Sequence, residues 1–276
     1  MTGKVVLVAT PIGNLGDLSP RAVEVLAAAD VIACEDTRHT RKLLTAAGIS
    51  PHRLVALHEH NEREQAERLV ARAAAGESIA VVSDAGTPAI SDPGERLVDV
   101  AVREGVVVEV VPGPSAAIAA LVVSGLPAAR FCFEGFLPRK GRDRADRLAA
   151  VAAEERTTVL FESPHRVGDT LADLVEVCGP TRRVALAREL TKLYEEVWRG
   201  PLAEAVDWVD GRAVRGEFVI VVGGAERVAA GEADVDDALA LRLAAGVDTK
   251  TAVAEVAAEL RVPKRQVYAA ALRLTR

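Results

Sequence analysis

The chain has 276 residues, 34 Lys and Arg against 40 Asp and Glu, and a formal net charge of −6. That length exceeds a typical single core and suits two domains with a small tail. The mild acidity excludes nucleic-acid binding by the surface as a whole, while leaving room for a local basic patch.

Half the residues are hydrophobic but only 3% are aromatic, so aliphatic cores are expected, as in parallel sheets covered by helices. Cys34, Cys132 and Cys178 are odd in number and far apart, with no Cys-x-x-Cys or Cys/His spacing. A disulfide framework and a structural zinc site are therefore not expected. The apolar run 5–9 is too short for a signal-peptide core, and nothing approaches a membrane span. A reducing cytoplasm is the default expectation.

Residues 4–9 read as a buried strand, followed by the loop 10–17. Ser19 and Pro20 are a cap and first-turn pair opening a helix over 21–29. Next come a strand at 31–34, a polar turn, a helix over 41–47, a strand at 54–57, a helix over 62–75 and a strand at 79–83. The long loop 84–93 precedes a fifth strand at 106–111, which ends in Pro112-Gly113-Pro114-Ser115. Alternation at this spacing predicts a parallel, doubly wound sheet. A helix over 115–124 stops at Gly125, with Pro127 beyond.

A second alternating set follows: strand 130–133, helix 142–153, strand 157–161 and helix 166–177. Strands at 184–187, 195–199 and 217–222, with helix-like 202–209 between the last two, predict a mixed sheet. Residues 235–245, 249–260 and 263–274 read as three helices, with Asp248 capping the second. The expected organisation is an N-terminal α/β domain over 1–113, a C-terminal α/β domain over 114–225 and a helical tail over 226–276.

The loops 10–17, 84–93 and 112–115 are rich in Gly and Pro and each follows an apolar strand. In a parallel sheet they leave one edge, where ligands of open α/β sheets bind. Glycine lets backbone approach a ligand closely and proline fixes its course. Asp84, Thr87, Asp92 and Ser115 supply polar anchors. Neither a P-loop nor a Gly-x-Gly-x-x-Gly turn is present, so no phosphate cradle is indicated. A nucleoside without phosphates, such as S-adenosylmethionine, is compatible, because its sulfonium favours carbonyl oxygens over amide donors.

Glu35, Asp36, Arg38, His39, Arg41 and Lys42 crowd one strand-to-helix turn, and no acidic residue lies between Thr37 and His58. Such basicity beside a ligand edge suits a phosphodiester backbone; the competing reading is a capped, solvated helix start. Glu35 and Asp36 are candidates for a general base or for orienting a hydroxyl. His58-Glu59-His60-Asn61 lacks a third metal ligand nearby and reads as a polar loop. Arg139, Lys140, Arg142, Arg144 and Arg147 form a second basic segment, open to the same two readings. Ser163 and His165 lie close in sequence, but no Gly-x-Ser-x-Gly elbow surrounds Ser163, which argues against serine hydrolase chemistry. In the tail, Lys250, Lys264 and Arg265 stand at helix starts in a helix-turn-helix-like arrangement, with a packing appendage as the alternative.

Nine segments in order carry a resemblance: ATPIGNLGDLSPRA (9–22), ACEDTRHTRKLL (33–44), HEHNE (58–62), VSDAGTPAISDPG (82–94), PGPSAAIAALVVSGLP (112–127), FEGFLPRK (133–140), ESPHR (162–166), ARELTKLYEE (187–196) and GEFVIVV (216–222). Together the chain resembles the ribosomal-RNA-methylating branch of the tetrapyrrole methylase superfamily, the class III methyltransferases. The resemblance implies two α/β domains plus a helical C-terminal extension. It implies 2′-O-methylation of a cytidine in the decoding centre of 16S rRNA, with S-adenosylmethionine as donor and no metal. The partner would be 16S rRNA or the small ribosomal subunit, and the protein a homodimer away from any membrane. Carried over, the donor contacts are Pro11, Ala85, Gly86, Thr87, Ile90, Ser115, Ala116, Phe161, Glu162, Leu190 and Glu217. The RNA contacts are expected at Arg38, Arg41, Lys42, Arg139, Lys140 and Arg142. The base that takes the hydroxyl proton is left open among Glu35, Asp36 and Asp84, with His39 next. Tetrapyrrole-modifying members carry Gly-Asp-Pro where this chain has Gly86-Thr87-Pro88. That difference and the basic segments weigh against a tetrapyrrole substrate. A nucleic-acid-binding regulator acting through the tail would leave the three ligand-type loops without a role.

Overall fold

The computed structural model describes residues 3–210, 212, 215–226 and 231–274. In chain order its elements are β1 (Lys4–Val8), α1 (Pro20–Ala28), β2 (Val31–Cys34), α2 (Thr37–Ala46), β3 (Leu54–Ala56), α3 (Glu62–Ala74), β4 (Ser78–Val82), α4 (Glu95–Arg103), β5 (Val107–Val111), α5 (Ala116–Ser124) and β6 (Phe131–Phe136). They continue with α6 (Arg142–Ala153), β7 (Thr157–Glu162), α7 (Val167–Cys178), β8 (Arg183–Arg188), β9 (Glu196–Pro201), α8 (Leu202–Asp210), β10 (Phe218–Val222), α9 (Glu232–Ala244), α10 (Thr249–Glu259) and α11 (Lys264–Leu274).

The first sheet has the order β3-β2-β4-β1-β5, and every pairing in it is parallel. Alternate side chains of a strand point to opposite faces, and the core follows that rule. Val5, Val31, Ala33, Ile79 and Val81 pack with α3 and α4 on one face. Val6, Val8, Ile32, Cys34, Ala80 and Val82 pack with α1 and α2 on the other. Burying one such leucine or isoleucine side chain stabilises by about 1.5–3 kcal/mol, so both faces hold the sheet.

The second sheet has the order β6-β7-β10-β8-β9. Its β6–β7 pair is parallel and the other pairs antiparallel, giving the mixed sheet expected. One face packs on α6, α7 and α8 through Leu148, Leu171, Leu174, Leu202 and Val209. The other face, with Val159, Ala187, Val219 and Val221, packs on α5 and on Ile12 from the loop after β1. Both sheets lie in one compact unit, Met1–Ala225, and the division expected at residue 113 falls between β5 and α5 inside it.

Local signals explain most boundaries. The Ser19 hydroxyl accepts from the Ala22 N–H at 3.1 Å, with Pro20 first in the helix. Gly125 ends α5 in the left-handed region at φ +72, as a C-terminal glycine should. Two expectations needed correction. The helix expected from residue 41 begins at Thr37, because Asp36 caps it, accepting from the Arg38 N–H at 2.7 Å. A helix was not expected between loop 84–93 and the fifth strand, yet α4 forms there. Leu97, Val100 and Ala101 give it a buried face, and the Glu62 carboxylate accepts from the N–H groups of Gly94 and Arg96 at 2.8 and 3.1 Å. A cap supplied from α3 leaves no local sequence signal.

Residues Glu226–Arg276 form the second unit. Its three helices share a core of Val235, Leu239, Val253, Val256, Val267 and Ala271. Asp248 caps α10 by accepting from Lys250 and Thr251, both at 3.1 Å. Arg242 pairs with Glu255 and Glu259, and Arg273 with Asp236, while Lys250, Lys264 and Arg265 are exposed. No helix among the described residues is long and apolar enough to cross a membrane.

Candidate active site

Strands β4, β1 and β5 are neighbours in the first sheet, so the three Gly/Pro loops leave adjacent carboxyl ends. They are stitched together. Thr10 and Gly86 exchange two backbone hydrogen bonds, at 2.8 and 3.1 Å, beyond the regular strands. The Thr10 hydroxyl donates to the Ser83 carbonyl, and the Ser83 hydroxyl to the Gly86 carbonyl, each at 3.2 Å. The Thr87 hydroxyl donates to the Pro114 carbonyl at 3.2 Å, tying the second loop to the third. Gly86 sits at φ +85, and a Cβ there would lie 3.3 Å from Ile12 Cγ2 and 3.6 Å from the Pro114 oxygen. Ala89 and Ser91 also adopt positive φ, at 68 and 61, so the loop holds a strained course.

Two cavities open beside these loops. The first, of about 290 Å³, is lined by Ala85, Gly86, Thr87 and Ile90 from the second loop and Ser115 and Ala116 from the third. Phe161, Glu162, Leu190 and Glu217 line it from the second sheet. Ten of the eleven residues expected to contact a donor thus share one cavity; Pro11 lines the second cavity instead. Asp92, expected as a polar anchor of the ligand edge, also lines the first cavity, as do Ile12, Phe136 and Val219, for which no role was expected. Its lining includes three carboxylates, Asp92, Glu162 and Glu217, and neither lysine nor arginine. The Glu162 carboxylate accepts from the Ser163 N–H at 2.7 Å and the Thr170 hydroxyl at 2.8 Å, and lies 3.5 Å from Arg166. It therefore also anchors the start of α7.

The second cavity, of about 480 Å³, is lined by Pro11, Gly13, Leu15, His39, Lys42, Asp84 and Lys192, among others. Ile12, Ala85 and Glu217 line both cavities. The structure thus gathers His39, Lys42 and Asp84 from the expected site. Arg38, Arg41, Arg139, Lys140 and Arg142 are exposed and outside both linings. Arg38 forms an ion pair with Asp36 at 3.0 Å, and Arg142 one with Asp146 at 3.6 Å. Arg144 is packed inward on Asp173, Thr170 and the Pro138 carbonyl, a fold-holding contact.

Four carboxylates lie about the carboxyl ends of β2 and β4, in distinct states. Hydrogen bonds from Arg38 hold Asp36 down to about 2, which makes it a weak proton acceptor. Burial, then the charge of Asp84, pushes Glu35 up. Burial, then the charge of Glu35, pushes Asp92 up to about 6, against a lowering hydrogen bond from Ser83. Asp84 Oδ1 accepts from the Asp36 N–H at 3.2 Å, so one oxygen is used in holding the β2 turn. Among the described residues no group of three or more His, Cys, Asp and Glu suits a metal ion.

A family model described as Tetrapyrrole (Corrin/Porphyrin) Methylases matches residues 4–206. The chain is similar to proteins named ribosomal RNA small subunit methyltransferase I. That of Synechocystis sp. is 46% identical, with 99% of this chain and 98% of that one covered. That of Pseudomonas aeruginosa is 51% identical, covering 80% and 79%, and that of Mycobacterium tuberculosis 48%, covering 100% and 96%. Among solved structures, a uroporphyrin-III-C-methyltransferase from Thermus thermophilus matches with a TM-score of 0.56 and 26% identity, over 80% of this chain and 94% of that one. The methyltransferase CobJ matches with a TM-score of 0.61 and 22% identity, over 83% and 97%. The chain belongs to the tetrapyrrole methylase family, and within it to the ribosomal RNA small subunit methyltransferase I group.

Proposed function

We infer that this protein methylates small-subunit ribosomal RNA with S-adenosylmethionine as donor, and that the acceptor is the 2′-hydroxyl of a cytidine in the decoding centre of 16S rRNA. The observation that carries the reading is the division of charge between two adjoining cavities. The first offers carboxylates and apolar walls but no cation. That suits a positively charged nucleoside and repels a phosphate-bearing one. The second adds Lys42, Lys192 and His39, which suit a phosphodiester-linked acceptor. Similarity to the ribosomal RNA small subunit methyltransferase I group supports the ribosomal RNA substrate and fits a cytoplasmic location; a homodimer is part of the proposal.

Bound S-adenosylmethionine supplies an electrophilic methyl on a sulfonium. Ile12, Ile90, Phe136 and Phe161 provide the apolar slot that an adenine requires and exclude water there. Asp92 and Glu217 offset the positive charge. Beside the shared residue Ala85, Asp84 is a carboxylate of the second cavity not held by Lys192, and it takes the acceptor hydroxyl's proton. Much of the rate comes from holding the acceptor oxygen in line at that wall.

The functional reading is tested by mapping 2′-O-methyls on 16S rRNA from a deletion strain and the same strain carrying this gene. One ribose methyl, lost by deletion and restored by the gene, is expected; an unchanged map contradicts it. Exposed Arg38, Arg41 and Arg139 are proposed to meet RNA phosphates. Replacing all three with Ala should lower the slope of log affinity against log salt by about 2 while leaving donor affinity intact; an unchanged slope makes them ordinary surface. Asp92 gives a pH test. In the free protein its raised pKa means its stabilising share is full below the ordinary carboxylate value and lost as pH climbs through about 6. A cationic donor favours the ionised form, so donor affinity should rise as pH rises through about 6, with a proton released on binding. Calorimetry should find that rise abolished in Asp92→Asn, and a persisting rise would place the titrating group elsewhere.

A further inference from the structure

Lys192 has no part in the donor cavity, yet the fold takes unusual care in placing it. It sits in the turn between β8 and β9. Two non-glycine residues of that turn adopt left-handed backbone, Glu189 at φ 51 and Thr191 at φ 64. Such outliers persist only where surrounding contacts over-determine them, and they gather at functional positions. Here those contacts are present. The Glu189 N–H donates to the Glu217 carbonyl, and the Glu217 N–H to Glu189 Oε1, both at 3.0 Å. The Thr191 N–H donates to Glu195 Oε2 at 2.5 Å. The Asn14 N–H donates to the Thr191 hydroxyl at 3.1 Å, joining this turn to the loop after β1. Gly13 is bare where the Lys192 stem passes; a Cβ would collide with that stem and lie 2.8 Å from the Thr191 hydroxyl.

The ammonium is equally fixed. Nζ donates to Glu189 Oε1 at 2.9 Å and Glu217 Oε2 at 2.8 Å. An ammonium has three donors, so one remains for a ligand of the second cavity, which Lys192 lines. Glu217 lines both cavities. A cation in the first cavity draws on the charge of Glu217 and so leaves more of the Lys192 charge for the second. Asp84, beside the shared residue Ala85, is the other carboxylate on the second cavity.

We propose that Lys192 is a catalytic residue, donating a hydrogen bond to the acceptor ribose oxygen and stabilising the negative charge that develops on it while Asp84 accepts its proton. This rests on the functional reading above. The balance is simple: the hydroxyl proton goes to the Asp84 carboxylate, the oxygen forms its bond to the methyl carbon, and the pair from the broken carbon–sulfur bond stays on sulfur. Lys192 changes no covalent bond. Burial alone would lower its pKa, but the hydrogen bonds it donates to its two carboxylate partners raise it, so it stays charged across the working range.

The test compares wild type, Lys192→Met and Lys192→Arg on isolated small ribosomal subunits lacking the methyl. Single-turnover rates are measured against pH, with donor affinity by calorimetry and subunit affinity by filter binding. Lys192→Met should lose about 100-fold or more in rate, the usual effect of deleting one donor to a developing oxyanion. Its rate should keep climbing with pH where the wild type has levelled, and Lys192→Arg should recover most of the loss. Donor affinity should hold or tighten in Lys192→Met, because Glu217 loses its cation. A merely structural clamp would instead weaken donor binding and leave the pH profile's shape unchanged, and that result overturns the proposal. So does a Lys192→Met rate equal to wild type. A wild type that transfers no methyl overturns the functional reading as well.

Discussion

Thr10 and Gly86 pair beyond the ends of β1 and β4, and both cavities depend on that pairing. The two hydrogen bonds hold the first loop against the second, and the hydroxyls of Thr10, Ser83 and Thr87 carry the stitching to Pro114. Ile12, four residues after the end of β1 and directly after Pro11, then reaches the core beneath the second sheet. One loop therefore builds the wall between the cavities and joins the two sheets. Left-handed backbone at Gly86 makes this possible, since an L side chain at φ +85 is strained and a Cβ would press on Ile12.

Charge is sorted along the same wall. Attraction between unit charges about 4 Å apart is worth about 4 kcal/mol at an effective dielectric of 20, against about 1 in water. The sign of the nearby side chains therefore decides what a half-enclosed cavity accepts. The first cavity has Asp92, Glu162 and Glu217 and no cation, and the second sets Lys42 and Lys192 beside Asp84 and Glu217. Glu217 faces both accounts of charge at once, bonded to Lys192 while lining the first cavity. On the proposed function, that sharing would link donor occupancy to the electrostatics felt by the acceptor.

Much of this was legible in the sequence because it rests on local chemistry. Ser19-Pro20 marks a helix start, Gly125 a helix end, and the three Gly/Pro loops a ligand edge, each for reasons confined to a few residues. The motif segments brought ten donor-site candidates into one cavity. What stayed hidden depends on contacts distant in sequence. The start of helix α4 is capped by Glu62 from another helix, although its apolar positions Leu97, Val100 and Ala101 recur locally at helical spacing. Asp92 gains its high pKa from burial and from Glu35, fifty-seven positions away in the chain. Lys192 is placed by Glu217 and Asn14–Thr191 contacts, although its motif, ELTK, was in view. Pro11 and Ile12 are neighbours, but only the fold decides which cavity each lines.

The most direct measurement is a calorimetric titration of S-adenosylmethionine into the wild type and Gly86→Val, with circular dichroism to confirm that both are folded. The strain of a valine at this backbone costs about 1–3 kcal/mol, which a chain with two well-packed sheets is expected to tolerate. The account predicts saturable one-site binding by the wild type and a loss of at least tenfold in the folded variant, because the added side chain intrudes on Ile12 and the floor of the first cavity. Equal affinity in the two proteins would contradict it, since the donor would then lie somewhere other than the cavity built on Thr10 and Gly86.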